Sequence, residues 1–216
     1  MKLSLVLYQL RHGGLKQLSD IDKTDEVVVS YINMSVLKLY GRFLLEVKEA
    51  IITLQNNKVL YTLDSTDTNV LVNGLPIAEE EFSSILNVFS EAGEVFVNNE
   101  YDEFSVFTPT YNTIQVPTAI KGNFISILYR TSPAFLLFAN GNSTDVNIKL
   151  PLVLLEPLIY YTAYLAHSSI TSGIDTESHS YYMKYEAACK TIELKGLLTT
   201  NSSEIDTTAN SKGLFL

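Results

Sequence analysis

The sequence has no tryptophan, a single cysteine and only three histidines in 216 residues. One thiol, Cys189, excludes an internal disulfide. No apolar stretch reaches the roughly 18 residues that a membrane-spanning helix needs, so no membrane partner is expected. The opening Met1-Lys2-Leu3-Ser4 leads into too short an apolar run for a signal peptide, and synthesis in a cytosol is the expectation. Positive charge is scarce, with 15 Lys and Arg against 24 Asp and Glu and a formal net charge of -9. Proteins that grip nucleic acid by its phosphates do so with an excess of Lys and Arg that displaces condensed counterions, which argues against that class. A wall of the same sign as DNA would instead repel it and let it slide, a physical option for a channel.

What is present is enough for a real core. The chain is 46% hydrophobic and 18% charged, far from the composition of intrinsic disorder. Its 216 residues suit one or two domains, since a typical domain has roughly 100–200. There are 13 Tyr and 10 Phe, and tyrosine, with an apolar ring and a polar tip, suits partly wet contact surfaces.

Hydrophobic spacing predicts a short helix over Ser4 to Arg11, punctuated by Gly13-Gly14. A longer one follows from Asp25 to Leu45, capped by Thr24 or Asp25, with Val29, Ile32, Val36, Leu39 and Phe43 on one face and Arg42 near its end. From Glu46 to Leu150 β-branched and aromatic residues alternate with turn formers. Strands are expected at Val47 to Leu54, Val59 to Leu63, Asn69 to Val72, Ile85 to Phe89, Glu94 to Val97, Thr113 to Val116, Phe124 to Arg130 and Val146 to Leu150. Asn56-Asn57 is expected to turn a hairpin between the first two, since Asn tolerates positive φ.

Helix returns after Pro151, with Pro157 acceptable in a first turn and Leu155, Leu158, Ile159, Thr162, Leu165 and Ala166 as the stripe. A last helix runs from Asp175 or Thr176 to Gly196 and buries Tyr181, Tyr185, Ala188, Cys189 and Ile192. The expected fold is therefore α+β: an α-helical bundle of N- and C-terminal helices (residues 1–45 and 151–197) with an inserted antiparallel β domain (46–150). Residues 198–216 are too polar and small to bury a face and are expected to be a flexible tail. Its apolar end, Leu214, Phe215 and Leu216, reads either as a frayed terminus or as a docking peptide.

Chemistry-bearing motifs are few. No phosphate loop, dinucleotide fingerprint, nucleophile elbow or zinc-ligand pair occurs, so no cofactor, metal or catalytic residue is expected. His12, His167 and His179 stand apart from one another and read as polar-face residues. Cys189 lies on an apolar stripe, where a thiol packs as a small hydrophobe. Glu79-Glu80-Glu81, Asp102-Glu103, Asp64 and Asp67 lack the ligand spacing of a calcium loop and read as solvated loops. The Asn33, Asn142 and Asn201 sequons carry meaning only in a secreted protein.

Several stretches resemble the head-to-tail adaptor, or tail tubular protein A-like, family of short-tailed podoviral bacteriophages. They are Leu10-Arg11-His12-Gly13-Gly14-Leu15-Lys16-Gln17-Leu18; Tyr31-Ile32-Asn33 followed by Leu37-Lys38-Leu39-Tyr40-Gly41-Arg42-Phe43; and Phe107-Thr108-Pro109-Thr110-Tyr111-Asn112-Thr113-Ile114-Gln115-Val116-Pro117 with Leu128-Tyr129-Arg130. Leu150-Pro151, Leu158-Ile159-Tyr160-Tyr161-Thr162-Ala163-Tyr164 and Tyr182-Met183-Lys184-Tyr185-Glu186 with Cys189 complete the series, in order from about Leu3 to Leu197. Leu165 departs from it, standing where a basic residue is expected, and the chain after Leu198 is unmatched.

The resemblance implies a non-enzymatic virion neck protein: a homo-oligomeric ring of about twelve subunits that closes through heterologous contacts. Such a ring binds the portal protein above and the tail nozzle protein below, and DNA passes through its lumen without specific binding. Tyr160, Tyr161 and Tyr164 are candidates for contacts between subunits, or fill the bundle; Leu214, Phe215 and Leu216 are further candidate partner contacts. The alternatives are another neck or tail-completion protein and, in a different class, a carbohydrate- or surface-binding β module.

Overall fold

A computed structural model of the chain describes residues 1–16, 18, 24–77, 82–96, 105–117, 123–136, 146–170 and 176–199. The fold is α+β. The chain divides into two compact units, Met1–Leu45 with Phe135–Leu216, and Glu46–Ala134.

The first unit holds α1 (Leu3–His12), α2 (Asp25–Arg42), α3 (Leu155–Ile170) and α4 (Thr176–Leu194). Each helix forms because its apolar residues recur at three-and-four spacing and are buried together. Leu3, Val6, Leu7 and Leu10 of α1 share one core with Val29, Ile32, Val36 and Leu39 of α2, Leu158, Ala163 and Ala166 of α3, and Tyr185, Cys189 and Ile192 of α4. Asp25 and Glu26 in the first turn of α2 and Arg42 in its last turn complement the helix dipole. Thr24 occupies the N-cap position without the expected side-chain bond, and Asp25 pairs with Arg11 of α1 instead. The helix ends at Arg42 rather than Leu45, because Phe43 is already extended while its N–H still closes on the Leu39 carbonyl. Pro157 lies in the first turn of α3, where no intrahelical N–H is lost, behind a 3-10 turn at Leu152–Leu154.

The second unit contains β1 (Val47–Thr53), β2 (Leu60–Thr62), β3 (Val70–Val72), β4 (Leu75–Pro76), β5 (Phe82–Phe89), β6 (Phe107–Thr110), β7 (Thr113–Gln115) and β8 (Phe124–Thr131). They form two antiparallel sheets, one ordered β4-β3-β1-β8-β5 and the other β2-β7-β6. Period-two alternation sends Ala50 and Ile52 of β1 and Ile125, Ile127 and Tyr129 of β8 into a core that also takes Tyr61 and Ile114 from the smaller sheet.

Several expectations are corrected. Asn56-Asn57 forms a turn but not a hairpin: β1 pairs with β3 and β8, and β2 with β7. The hairpin is at Asn73-Gly74, between β3 and β4, where both residues have positive φ (50° and 81°) and Val72 pairs with Leu75. A two-residue loop with that backbone is the type I′ turn that Asn-Gly favours. Among the described residues, Glu94 to Val97 contributes one bridge, Phe89 to Val95, and β4 and β6 were not anticipated.

Val146 to Leu150 is not a strand of the β unit. Ile148 and Leu150 are buried in the helical core, and the segment meets the start of the chain through Leu3 N–H to Val146 O, Ile148 N–H to Met1 O and the bridge Lys2 to Asn147. The alternation is real, but helices rather than a sheet cover its apolar side, and the β unit ends at Ala134 instead of Leu150. At the other end, Leu198 packs on the helical core and the Thr199 carbonyl accepts a bond from Leu44 N–H, so the first two residues of the expected tail are held. Residues 200–216, including Leu214, Phe215 and Leu216, lie outside the described residues.

Candidate functional site

The most concentrated chemistry lies where α3 and α4 run side by side. Tyr161 and Tyr164 of α3 are three residues apart on one face, and Tyr182 and Tyr185 of α4 face them. Ring centroids are 5.5 Å apart for Tyr161 and Tyr164, 4.8 Å for Tyr161 and Tyr185, and 5.2 Å for Tyr164 and Tyr182, all tilted pairs of the kind aromatic quadrupoles favour. Tyr185 is fully buried, whereas Tyr161, Tyr164 and Tyr182 stay partly exposed. Tyr160, also partly exposed, packs against the helical core beside them. The three sequence-predicted tyrosines are thus neither all interior nor all free: one edge is packed and the other reaches the surface.

Beneath the rings lies an ionic clamp. Arg42 Nε donates to Glu193 Oε1 and Nη1 to Glu186 Oε2, each at 2.7 Å, and the guanidinium carbon is 5.7 Å from the Tyr185 ring centre. Burial by itself would lower the Arg42 pKa, but the bonds to Glu193 and Glu186 outweigh it and raise the pKa above the usual value. Burial raises the phenol pKa of Tyr185 and of Tyr161, and the Glu186 carboxylate raises that of Tyr182. Burial likewise pushes the Cys189 thiol, next to this clamp, up to about 11. These phenols and this thiol are therefore neutral near pH 7, so the cluster offers ring faces and hydroxyls rather than a nucleophile.

A second buried polar contact anchors the loop after α1. His167, expected on a polar face, is buried on α3; its Nε2 is 2.8 Å from the Gly14 carbonyl and its ring stacks on Tyr181 at 5.2 Å. The loop can approach because residue 14 is glycine: a Cβ there would fall 2.7 Å from the Cβ of Ala163. His12 is exposed and stacks on Tyr8, and His179 is exposed on α4.

In the β unit Asp67 is also buried, not a solvated loop residue. Its carboxylate accepts from Lys58 Nζ at 2.7 Å, from the Thr62 and Asn69 N–H groups at 3.1 Å and from Asn69 Nδ2 at 2.9 Å. Lys58 also sits 4.9 Å from the Tyr61 ring centre. All four acceptor bonds end on backbone or neighbouring side chains, which fits a turn-holding role. Glu79-Glu80-Glu81 and Asp102-Glu103 lie outside the described residues.

A groove of about 490 Å³ runs along β1 and β3, with Glu49, Ile51, Leu71 and Asn73 in its lining. Lys48 and Thr53 add to its polar lining. Among the described residues no three His, Cys, Asp or Glu side chains are grouped to hold a metal ion, and no helix is long and apolar enough to cross a membrane.

The partners of Arg42 were not expected from its place near a helix end. The available signal was Glu186 and Glu193, seven residues apart and so on one helix face, with a lone arginine ending the helix that had to pack against them. Compared with known proteins, the chain matches no family model and no curated protein.

Proposed function

We propose that the protein is a ring-forming subunit of the neck of a short-tailed bacteriophage, a head-to-tail adaptor that joins the portal to the tail nozzle around the DNA channel. In this reading the four helices form a bundle and the β unit is its insertion. The division of the chain into one unit drawn from both its ends and one from its middle supports that arrangement. The observation that carries the reading is the cluster of tyrosines on α3 and α4, in which Tyr161, Tyr164 and Tyr182 pack against neighbouring rings yet stay partly exposed over the buried Tyr185. A ring contact needs rigid, amphipathic side chains that lose little freedom on docking, and tyrosine supplies them. The ordered resemblance from Leu3 to Leu197 directs that surface to a phage neck.

Leu214, Phe215 and Leu216 belong to the same reading as contacts to a neighbouring subunit or the portal. Their deletion is expected to weaken assembly and leave the melting temperature unchanged. The reading as a whole is tested by mixing the full chain with a podoviral portal and weighing the complex by native mass spectrometry, with a ring of about twelve copies on the portal expected. A chain that stays monomeric and ignores the portal, or one that binds glycans as a monomer, is not an adaptor.

A further inference from the structure

The negative charge of this chain is unevenly placed. Residues 46–134 carry 12 acidic and 4 basic side chains, a net of -8, while the rest of the chain carries 12 acidic and 11 basic. The outward side of α4 has the opposite character. Lys184 and Lys190 are exposed there, and Lys195 continues the row just past the helix end. Met183, Leu194 and Leu197 lie among them and are 55%, 79% and 52% exposed. Spacings of 7 and 4 residues put Met183, Lys190 and Leu194 on one line, with Lys184 and Lys195 alongside. Glu186 and Glu193, the carboxylates among the described side chains of α4, are turned to Arg42. Among the described side chains of α4, the exposed charges are therefore all positive.

We infer that this face of α4 docks on the acidic β unit of a second copy of the chain. The inference rests on the ring reading, which requires one face of a subunit to fit a different face of its neighbour. It adds to the tyrosine contact a second pair of surfaces matched by charge complementarity, a device that orients partners and speeds their encounter. Nucleic acid is a poorer occupant. Three large apolar side chains interrupt the lysines, and a chain of net charge -9 repels a polyanion at long range. The β unit offers apolar partners as well as charge: Glu91 and Glu94 are exposed near Val95, itself 49% exposed.

The test uses the full chain, prepared with two nitrogen isotopes, mixed and treated with a zero-length amine-to-carboxylate cross-linker. Links joining Lys184, Lys190 or Lys195 of one isotope to carboxylates of residues 46–134 of the other are expected. A Lys184→Glu, Lys190→Glu, Lys195→Glu variant, checked for native circular dichroism, is expected to raise the dissociation constant of self-association at least about tenfold, since three attractions become repulsions. Its Lys→Arg counterpart is expected to assemble like the parent.

A chain that remains monomeric at every concentration overturns the inference. So do mixed-isotope links that avoid either face, or a Lys→Glu variant that assembles normally. Duplex DNA bound by the parent and released by the Lys→Glu variant would reassign the face to a polyanion. A portal-bound ring cross-linked elsewhere removes this contact alone, whereas linked copies that ignore the portal remove only the neck reading.

Discussion

Arg42, in the last turn of α2, bonds Glu193 of α4 at 2.7 Å and reaches Glu186 one side over at the same distance. Replacing it by methionine leaves two carboxylates facing each other in a partly buried site. Hydrogen bonds to charged groups contribute about 1.5–3 kcal/mol, and a loss of roughly that size is expected in urea unfolding. Arg42→Lys should recover only part, because a point-charge ammonium cannot serve both carboxylates with the fork of a guanidinium.

Asp67 ties its turn together through Lys58, Thr62 and Asn69. Burial would raise its pKa, but the bonds to Lys58 and Asn69 and to backbone N–H groups outweigh this and hold it below the ordinary value. A depressed folded-state pKa contributes stability that is fully present above the unfolded value of about 3.9 and is lost as pH falls through the folded value. Asp67→Asn is accordingly expected to cost about 1–3 kcal/mol at pH 7. The gap between variant and parent should narrow below about pH 4, as followed by chemical denaturation across a pH series.

Gly14 faces Ala163 so closely that a methyl group at position 14 would fall 2.7 Å from the alanine Cβ. Gly14→Ala should destabilise by about 1–3 kcal/mol, the usual cost of overpacking, and displace His167 from the Gly14 carbonyl. Adding Ala163→Gly should restore part of the melting temperature, less the cost of a helical glycine of about 1 kcal/mol. Equal losses in the single and double variants would show that the contact is not the cause.

Cys189 is fully buried, and burial pushes its thiol pKa up to about 11. Both features suppress the thiolate that reacts with disulfide reagents. At pH 8 the folded protein is expected to react slowly and the denatured protein at once, in a stoichiometry of one thiol per chain. Rapid modification of the folded chain would mean that α4 opens readily.

Tyr164 packs against Tyr161 and Tyr182 and stays partly exposed. Tyr164→Ser is expected to weaken ring assembly by about 2 kcal/mol or more per contact, as truncation of an interface anchor does, with a smaller effect on the subunit's own unfolding. Analytical ultracentrifugation beside thermal unfolding separates the two. A variant that loses stability but assembles normally assigns the ring to the interior.

The apolar periodicities were legible because they are local. Val29, Ile32, Val36 and Leu39 mark the buried side of α2 whatever covers it, and Ala50 and Ile52 do the same for β1. Asn73-Gly74 carries the strongest turn preference in the sequence, whereas Asn56-Asn57 turns the chain without pairing β1 to β2. Only the tertiary structure decided what lies against each face. The alternation of Val146, Ile148 and Leu150 suits a strand, yet its apolar side is closed by helices, and β1 takes its partners from Val70–Val72 and Phe124–Thr131 rather than from the next strand. The same holds for polar groups. His167, Asp67 and Arg42 carry no local mark of burial, because the cost of desolvating each is offset by partners brought from distant segments or a folded turn: the Gly14 carbonyl, Lys58 and Asn69, and Glu186 with Glu193. Periodicity reports which side of an element avoids water, whereas pairing and polar burial depend on contacts that exist only once the chain has closed on itself.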